Sequence, residues 1–157
     1  MESPNPYSIE LWYKIDDKLH FFPPGLRQDV EVRSEFDLEG QWRPLDIPFV
    51  NTAKDIQDVN HTITGLNPYT TYTVKIRMQS MKADPHLWSQ TVMKESMTMA
   101  SKPEIPPEVT LSSFEVVNHD WQTRSIFVYW KQIPRWRQNG PDFNYIITEV
   151  AEAGRKR

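Results

Sequence analysis

The chain has 157 residues, a formal net charge of -3, and 38% hydrophobic and 12% aromatic residues. This composition is typical of a globular protein, and the length is enough for one β-sandwich of about 100 residues and part of another. The slight acidity, without a basic patch interleaved with aromatic residues, gives no reason to expect a nucleic-acid partner. The sequence contains no cysteine, which excludes disulfides and thiol catalysis and leaves the cellular compartment open.

The chain begins with a few residues rich in Pro and Asn, so a strand at the very start is expected to be short or missing. Residues 7–14, YSIELWYK, then predict a strand, because the apolar Ile9, Leu11 and Tyr13 recur at every second position. The same alternation places Trp12 on the face opposite to Leu11.

The next elements follow at short intervals. Residues 15–28 predict a loop, which contains the turn-forming sequence Pro-Pro-Gly. Residues 29–36 alternate again, with valines on the inner face and charged residues on the outer face. Two shorter strands are predicted at residues 41–48 and 61–66, on either side of a polar segment.

The stretch from residue 66 to residue 89 organises this part of the chain. It opens with the spacing L-x-P-x-T-x-Y and continues as an alternating run, which predicts a half-buried strand. One face of the run carries Tyr72, Val74, Ile76 and Met78, and the other carries Thr73, Lys75, Arg77 and Gln79. In a β-sandwich, a tyrosine at the start of such a strand directs its hydroxyl back to the preceding backbone. Residues 90–99 predict the strand that follows.

A proline-rich segment, SKPEIPP at residues 101–107, predicts a stiff hinge, because proline restricts the backbone. The expected domains are residues 1–100 and 108–157. The second domain is predicted to contain three strands, at residues 109–117, 125–131 and 145–150. The predicted fold class is all-β, with one nearly complete sandwich and a truncated second one.

The corner at Leu66, the alternating strand with Arg77, and the pair Trp88 and Ser89 together resemble a fibronectin type III domain of a class I cytokine receptor. That family carries a W-S-x-W-S box at this place, whereas residues 88–92 read WSQTV, so only the first half of the box is present. The resemblance covers nearly the whole chain. It is greatest to the tall signal-transducing receptors of long-chain helical cytokines, insect receptors included.

The resemblance implies an immunoglobulin-like sandwich, in which residues 1–100 are the second half of a cytokine-binding module. In that family a tryptophan is frequent where Trp12 stands, so Trp12 is expected in the core. The buried set expected in the first domain is Trp12, Leu11 or Ile9, Val30, Val32, Leu66, Tyr72, Val74 and Ile76.

The resemblance also implies that two loops at one end of the first domain meet the cytokine. The first loop carries His20, Phe21 and Phe22, and the second carries Met81, Lys82, Asp84, His86 and Leu87. Adjacent exposed phenylalanines are costly unless they pack or bind, and aromatic residues with methionine are enriched at interface cores. The alternative is that Phe21 or Phe22 closes the open end of the sandwich, and this can hold for one of them while the other binds.

A stacked arrangement is expected on the outer face of the first domain. Outward residues of neighbouring strands share one face, so Arg77 can stack on Trp88, with Lys75 and Arg33 in support. Ser89 belongs to the same half-box. The alternative is an ordinary solvated row of charges beside a partly buried tryptophan.

Asn60 opens the sequon Asn-His-Thr, which is a glycosylation signal and a weak indication of the secretory route. We expect a glycan at Asn60, placed just before a strand. In a cytosolic protein Asn60 would be only a turn residue.

Nothing in the sequence predicts catalysis, a metal or a cofactor. The four histidines are scattered, without an H-E-x-x-H motif, and neither a phosphate-binding glycine loop nor a nucleophile elbow occurs. The adjacent Asp16 and Asp17 are typical of a solvated turn. We therefore expect a protein that is not an enzyme.

The leading interpretation is an extracellular segment of a single-pass receptor at the cell surface. It would bind a helical cytokine and, with a second receptor chain, signal by assembly to a JAK/STAT-type pathway. No apolar run approaches the roughly 18 residues of a membrane span, and MESPNPYS is not a signal peptide, so the span is expected outside this fragment. The alternative is a fibronectin type III adhesion or spacer module of another receptor or of a muscle-type protein.

Overall fold

A computed structural model describes residues 1–15, 25–50 and 58–148 of the chain. Within these ranges the secondary structure is almost entirely β, arranged in antiparallel sheets without an α-helix. The strands are, in chain order, β1 (Glu2–Asn5), β2 (Ser8–Lys14), β3 (Leu26–Ser34), β4 (Arg43–Leu45), β5 (Asp58–Thr64), β6 (Thr71–Ser80), β7 (Val92–Met97), β8 (Phe114–Asn118) and β9 (Arg124–Val128). The predicted all-β fold is confirmed.

Three sheets are formed. The first has the order β1-β2-β5, the second has the order β4-β3-β6-β7, and the third pairs β8 with β9. The first two sheets pack against each other as a fibronectin-like sandwich, because the apolar residues of both point into one shared core. The members of that core are Ile9, Leu11, Val30, Val32, Ile63, Leu66, Tyr72 and Val74.

The alternation of each strand explains this core. Ile9 and Leu11 lie on the inner face of β2, while Val30 and Val32 lie on the inner face of β3, and all four are buried. Burying one such side chain contributes about 1.5–3 kcal/mol. Of the expected set, Leu66, Tyr72 and Val74 are buried too, and Ile76 is half-buried against the core.

Trp12 is the exception, and the prediction that it is buried was wrong. Its side chain is 61% exposed. The period of two in β2 decides its position, since Leu11 and Tyr13 on either side of it face inward. Its indole Nε1 donates a hydrogen bond of 3.1 Å to the Glu10 carboxylate on the same outer face.

Gln79 departs from the predicted pattern in the opposite direction. Alternation placed it on the polar outer face of β6, yet only 4% of it is exposed. The loop after β6 folds over the end of the strand, and the Gln79 amide nitrogen donates to the Asp84 carbonyl at 2.8 Å.

The predicted tyrosine corner is confirmed. The Asn67 backbone N–H donates to the Tyr72 hydroxyl at 2.8 Å. The buried Thr98 ties the corner to the end of β7, because its hydroxyl donates to the Asn67 carbonyl at 2.7 Å and accepts from the Thr70 backbone N–H at 3.0 Å. The corner is thus fixed from two sides.

The second region, after the hinge, has less structure than its sequence predicts. The strands β8 and β9 form a hairpin whose apolar side chains, including Phe127 and Tyr129, remain exposed. The third predicted strand, at 145–150, is not formed over 145–148, which is the part the structure describes. A strand requires a neighbour that shares its backbone hydrogen bonds, and none of the described strands pairs with these residues.

The hinge is held by the segment after β9. The Ser101 backbone N–H donates to the Asn139 carbonyl at 2.8 Å, and the Asn139 side-chain amide donates to the Lys102 carbonyl at 3.1 Å. On the first-domain side, the Tyr7 hydroxyl donates to the Glu104 carboxylate at 3.2 Å. Asn139 is buried in this junction. The link between the two regions is therefore cross-braced.

Candidate functional site

The outer face of the second sheet carries paired charges. The register sets Glu31 opposite Lys75 and Asp29 opposite Arg77 on neighbouring strands. Lys75 forms an ion pair with Glu31, and the Arg77 guanidinium binds the Asp29 carboxylate through Nη2 at 2.6 Å and Nε at 2.7 Å. These pairs are partly exposed, so each contributes no more than about 1 kcal/mol. They fix the direction of the Arg77 side chain.

Trp88 lies against this row. The Arg77 guanidinium carbon is 4.7 Å from the centre of the Trp88 ring, which is a cation–π contact. Ser89 anchors the tryptophan, because its backbone N–H donates to the Met78 carbonyl at 2.8 Å and its hydroxyl accepts from the Met78 N–H at 2.9 Å. The half-box thus continues the hydrogen bonding along the edge of β6 past Val92, where β7 begins.

Lys75 and Arg33 do not join Trp88. They contact a second tryptophan, Trp42, with the Lys75 Nζ 4.4 Å and the Arg33 guanidinium carbon 4.9 Å from the ring centre. The sequence pattern did not predict that Trp42 takes part in this stacking. Since Arg43 pairs with Val32, the preceding Trp42 comes beside Arg33, and this register was the only available signal.

The two tryptophans and the ion pairs therefore form one continuous array on the outer face. We call it the stacked array; it consists of Trp42, Arg33, Lys75, Glu31, Asp29, Arg77 and Trp88. Each exposed stacking contact contributes about 0.5–1 kcal/mol. Its cations pair with carboxylates and stack on aromatic rings of the same array, so these groups stabilise the sheet.

Of the two loops expected to bind a ligand, the structure describes the one after β6 in full. His20, Phe21 and Phe22 lie outside the described residues. Gly25, which follows them, has φ +149°, and a Cβ there would collide with the Val50 carbonyl oxygen. Its carbonyl accepts a hydrogen bond of 3.0 Å from the Met81 N–H, the first residue after β6. The bases of the two loops are therefore joined at one end of the sandwich.

Asp84 organises the loop after β6. Its carboxylate accepts a hydrogen bond from the His86 N–H at 2.9 Å, and its carbonyl accepts one from the Leu87 N–H at 2.9 Å. Lys82 and His86 are exposed, Met81 is half-buried, and Leu87 is 66% exposed. The structure therefore presents Leu87 as a large exposed apolar side chain of the loop, two residues before the chain returns to β6 at Ser89, while Asp84 shapes the turn.

Asn60 is the third residue of β5, whereas the sequence predicted it just before a strand that begins at residue 61. It is exposed, and so is Thr62, the hydroxyl residue of the sequon, on the same outer face of the first sheet. The register places Asn60 directly opposite Trp12 on β2.

A partly buried polar contact joins two residues that no sequence motif singles out. The Tyr13 hydroxyl and the His61 Nε2 are 3.2 Å apart near the inner face of the first sheet. Burial raises the pKa of the Tyr13 phenol and lowers the pKa of the His61 imidazole. No motif surrounds either residue, and only the pairing of β2 with β5 brings them together.

Over the ranges that the structure covers, no three His, Cys, Asp or Glu side chains are grouped as a metal site would require. In the same ranges, no helix has the length and apolarity to cross a membrane.

Two comparisons with known proteins bear on the chain. No protein-family model matches it. Over 78 residues it is 32% identical to a protein of Drosophila melanogaster named "Cytokine receptor". The matched part is 50% of this chain and 6% of that receptor, so the chain spans a small fraction of the curated relative. The similarity supports a relationship between this chain and cytokine receptors.

Proposed function

We propose that the chain is an extracellular segment of a cell-surface cytokine receptor, of the tall signal-transducing kind to which insect Domeless belongs. It binds a helical cytokine through the loops at the Gly25 end of the first sandwich. Together with a second receptor chain it transmits by assembly to a JAK/STAT-type pathway. The segment acts by binding, with no catalytic role and no cofactor.

The observation that carries this proposal is the contact between Arg77 and Trp88, joined to the double hydrogen bond of Ser89 with Met78. The half-box therefore stabilises the sandwich, because it holds Trp88 and Ser89 beside β6 directly after the loop that carries Leu87. The similarity to the Drosophila cytokine receptor supports the same assignment.

The ligand-binding end combines joined loop bases with an exposed apolar side chain, Leu87. Met81 and Gly25 join the two loops, and Asp84 holds the second loop in a closed turn. A preorganised loop loses little entropy on binding. Leu87 would then serve as an apolar anchor at the interface, and Phe21 and Phe22, which lie outside the described residues, are the further anchors that the resemblance implies.

The test uses the secreted chain and a helical cytokine that activates the Drosophila relative, with affinity measured on a biosensor surface. Leu87→Ala should weaken binding by about tenfold or more, because anchor residues dominate such interfaces. Leu38→Ala is the matched control, since Leu38 is 70% exposed against 66% for Leu87 and follows β3 at the opposite end of the sandwich. Equal affinities of Leu87→Ala and Leu38→Ala would contradict the proposal that the Gly25 end of the sandwich binds the cytokine.

The neighbouring loop is tested in the same assay. Phe21→Ala and Phe22→Ala should each weaken binding by more than their change in melting temperature accounts for. Normal binding by both would assign these phenylalanines to closing the sandwich.

Signalling is tested in a chimaera. The segment of the Drosophila receptor that corresponds to the first sandwich is replaced by residues 1–100 of this chain, and a STAT-dependent reporter is read after addition of cytokine. A response that Leu87→Ala lowers and Leu38→Ala leaves intact is expected. A chimaera that reaches the surface and gives no response in any form contradicts the proposal.

One observation favours a second candidate function, that of an adhesion or spacer module. The hinge is cross-braced by Asn139 with Ser101 and Lys102, and by Tyr7 with Glu104. A fixed angle serves a spacer as well as a receptor. Asn139→Ala discriminates between them, because a spacer loses its function when the angle relaxes, whereas cytokine affinity at the far end of the first sandwich is unchanged.

A further inference from the structure

Trp12 is a large apolar side chain without a protein partner for its ring among the described contacts. It stands on the outer face of the first sheet, and 61% of it is exposed. Its indole Nε1 donates a hydrogen bond to the Glu10 carboxylate, which restrains the ring on that face. An exposed and oriented indole is a costly surface unless something covers it.

The residue directly opposite Trp12 is the sequon asparagine. Trp12 and Asn60 are Cα partners in the pairing of β2 with β5, and Glu10 and Thr62 form the next pair on the same face. Facing residues in an antiparallel pair have Cβ atoms about 4.5–5.5 Å apart. The first sugar linked to Asn60 would therefore begin within reach of the indole ring.

From this geometry we propose that Asn60 carries an N-linked glycan whose first N-acetylglucosamine packs on the face of Trp12. The inference rests on the proposed extracellular location. In the modification, the Asn60 side-chain nitrogen attacks the anomeric carbon of a lipid-pyrophosphate-linked oligosaccharide. A carbon–nitrogen bond forms, the carbon–oxygen bond to the pyrophosphate breaks, and the lipid pyrophosphate leaves while the amide nitrogen gives up one proton.

The pairing explains why each group is where it is. The apolar face of a sugar ring covers the indole, which replaces contact with water by dispersion contacts. Glu10, which belongs to the neighbouring pair, holds the indole in place through its hydrogen bond with Nε1. The sugar in turn gives Trp12 a partner that the polypeptide does not supply.

The position within the sheet adds a second consequence. Among the described strands, β5 is the outermost in the order β1-β2-β5, and none of them pairs with its other edge. Exposed edges invite pairing with other chains, and proteins block them with charges, prolines or covering elements. The sugars beyond the first one of a glycan at Asn60, near the middle of β5, would add such a cover beside this edge.

The experiment expresses the whole chain in a secretory host and trims the glycan enzymatically to a single N-acetylglucosamine. Peptide mass spectrometry measures the fraction of Asn60 that carries the sugar. Thermal unfolding is compared in four proteins: the chain without substitutions, Asn60→Gln, Trp12→Ala and the double variant. We expect the single sugar to raise the melting temperature by about 2–4 °C when Trp12 is present, and by less than half of that in Trp12→Ala.

Trp121→Ala is the matched control, since Trp121 is an equally large exposed side chain and lies in the turn between β8 and β9. The effect of the sugar should be unchanged in this variant. A proton spectrum adds a direct readout, because the acetyl methyl of a sugar that lies over an indole shifts upfield, and this shift should disappear in Trp12→Ala.

Two results would overturn the inference. One is an unoccupied Asn60 in the secreted protein. The other is a sugar whose effect on the melting temperature and whose methyl shift are the same with and without Trp12. Neither result concerns cytokine affinity, which is measured by substitution of Leu87 in the loop after β6, so the two proposals fail separately.

Discussion

The first sandwich and the β8–β9 hairpin are made from similar residues and differ in burial. Both have continuous antiparallel pairing, with Phe114 to Asn118 of β8 matched against β9 as fully as β2 is matched against β5. Yet Ile9 in β2 is completely buried, whereas Ile126 in β9 is 45% exposed. The difference comes from the second sheet that covers β2 and has no counterpart over β9 in the described part of the chain.

This comparison separates what forms a strand from what stabilises it. Backbone pairing and an apolar, β-branched sequence are enough to produce the hairpin. An isolated two-stranded hairpin is at best marginally stable in water, because stability requires an apolar face that is covered. We therefore expect the free energy of unfolding to be concentrated in the first sandwich.

The largest expected effect tests this directly. Ile9→Ala should lower the free energy of unfolding by about 2–5 kcal/mol, the usual cost of truncating a buried aliphatic side chain. Ile126→Ala makes the same chemical change in the hairpin and should cost about 0.5 kcal/mol or less. Urea unfolding of the whole chain, followed by far-ultraviolet circular dichroism, measures both. Equal losses would mean that the hairpin shares in the cooperative core.

The tyrosine corner gives the next effect. Tyr72→Phe removes the hydroxyl that accepts the Asn67 N–H, and should cost about 1 kcal/mol, the net value of one hydrogen bond. Tyr129→Phe is the control in the hairpin, where the hydroxyl donates to Glu115 on the exposed surface. We expect its change to be within about 0.5 kcal/mol of zero. A cost at Tyr129 as large as that at Tyr72 would contradict the comparison.

The stacked tryptophans provide a smaller test. Arg77 and Trp88 are eleven positions apart and meet only in the folded sandwich, so a double-mutant cycle should give a coupling of about 0.5–1 kcal/mol. Arg137 lies 4.3 Å from the centre of the ring of its sequence neighbour Trp136. Neighbours remain close in the unfolded chain, so their coupling should be smaller. The four single-alanine variants and the two doubles are compared by urea unfolding, and a larger coupling for Arg137 with Trp136 would oppose this reasoning.

The sequence predicted the sandwich well because its strands obey one local rule. Alternation fixed the inner faces of β2, β3 and β6, and the L-x-P-x-T-x-Y spacing predicted the hydrogen bond of Tyr72. Trp12 shows the strength of the rule, since alternation alone gave its exposed position, and the family analogy that moved it into the core was wrong.

The remainder depended on contacts between distant parts of the chain. Gln79 is buried because a loop covers it, and Trp42 joins Lys75 because β4 pairs with β3 in one particular register. Alternation within a strand contains no information about either. Residues 145–148 show the converse, because a sequence rich in apolar and β-branched residues forms no strand when none of the described strands accepts its hydrogen bonds.

The smallest expected effect concerns pH and again separates the two regions. Burial beside Tyr13 lowers the pKa of the His61 imidazole below its ordinary value of 6.5. Above pH 6.5 the imidazole is neutral in both states. As the pH falls through 6.5, the unfolded chain binds the proton first, so the folded state loses stability until the pH is below the folded pKa. Unfolding in urea at pH 7.5 and pH 5.5 should therefore show a loss that His61→Gln reduces. His119→Gln, the same change in the exposed hairpin, is the control. If His119→Gln reduced the loss of unfolding free energy as much as His61→Gln does, the His61 imidazole would not be the source of that loss.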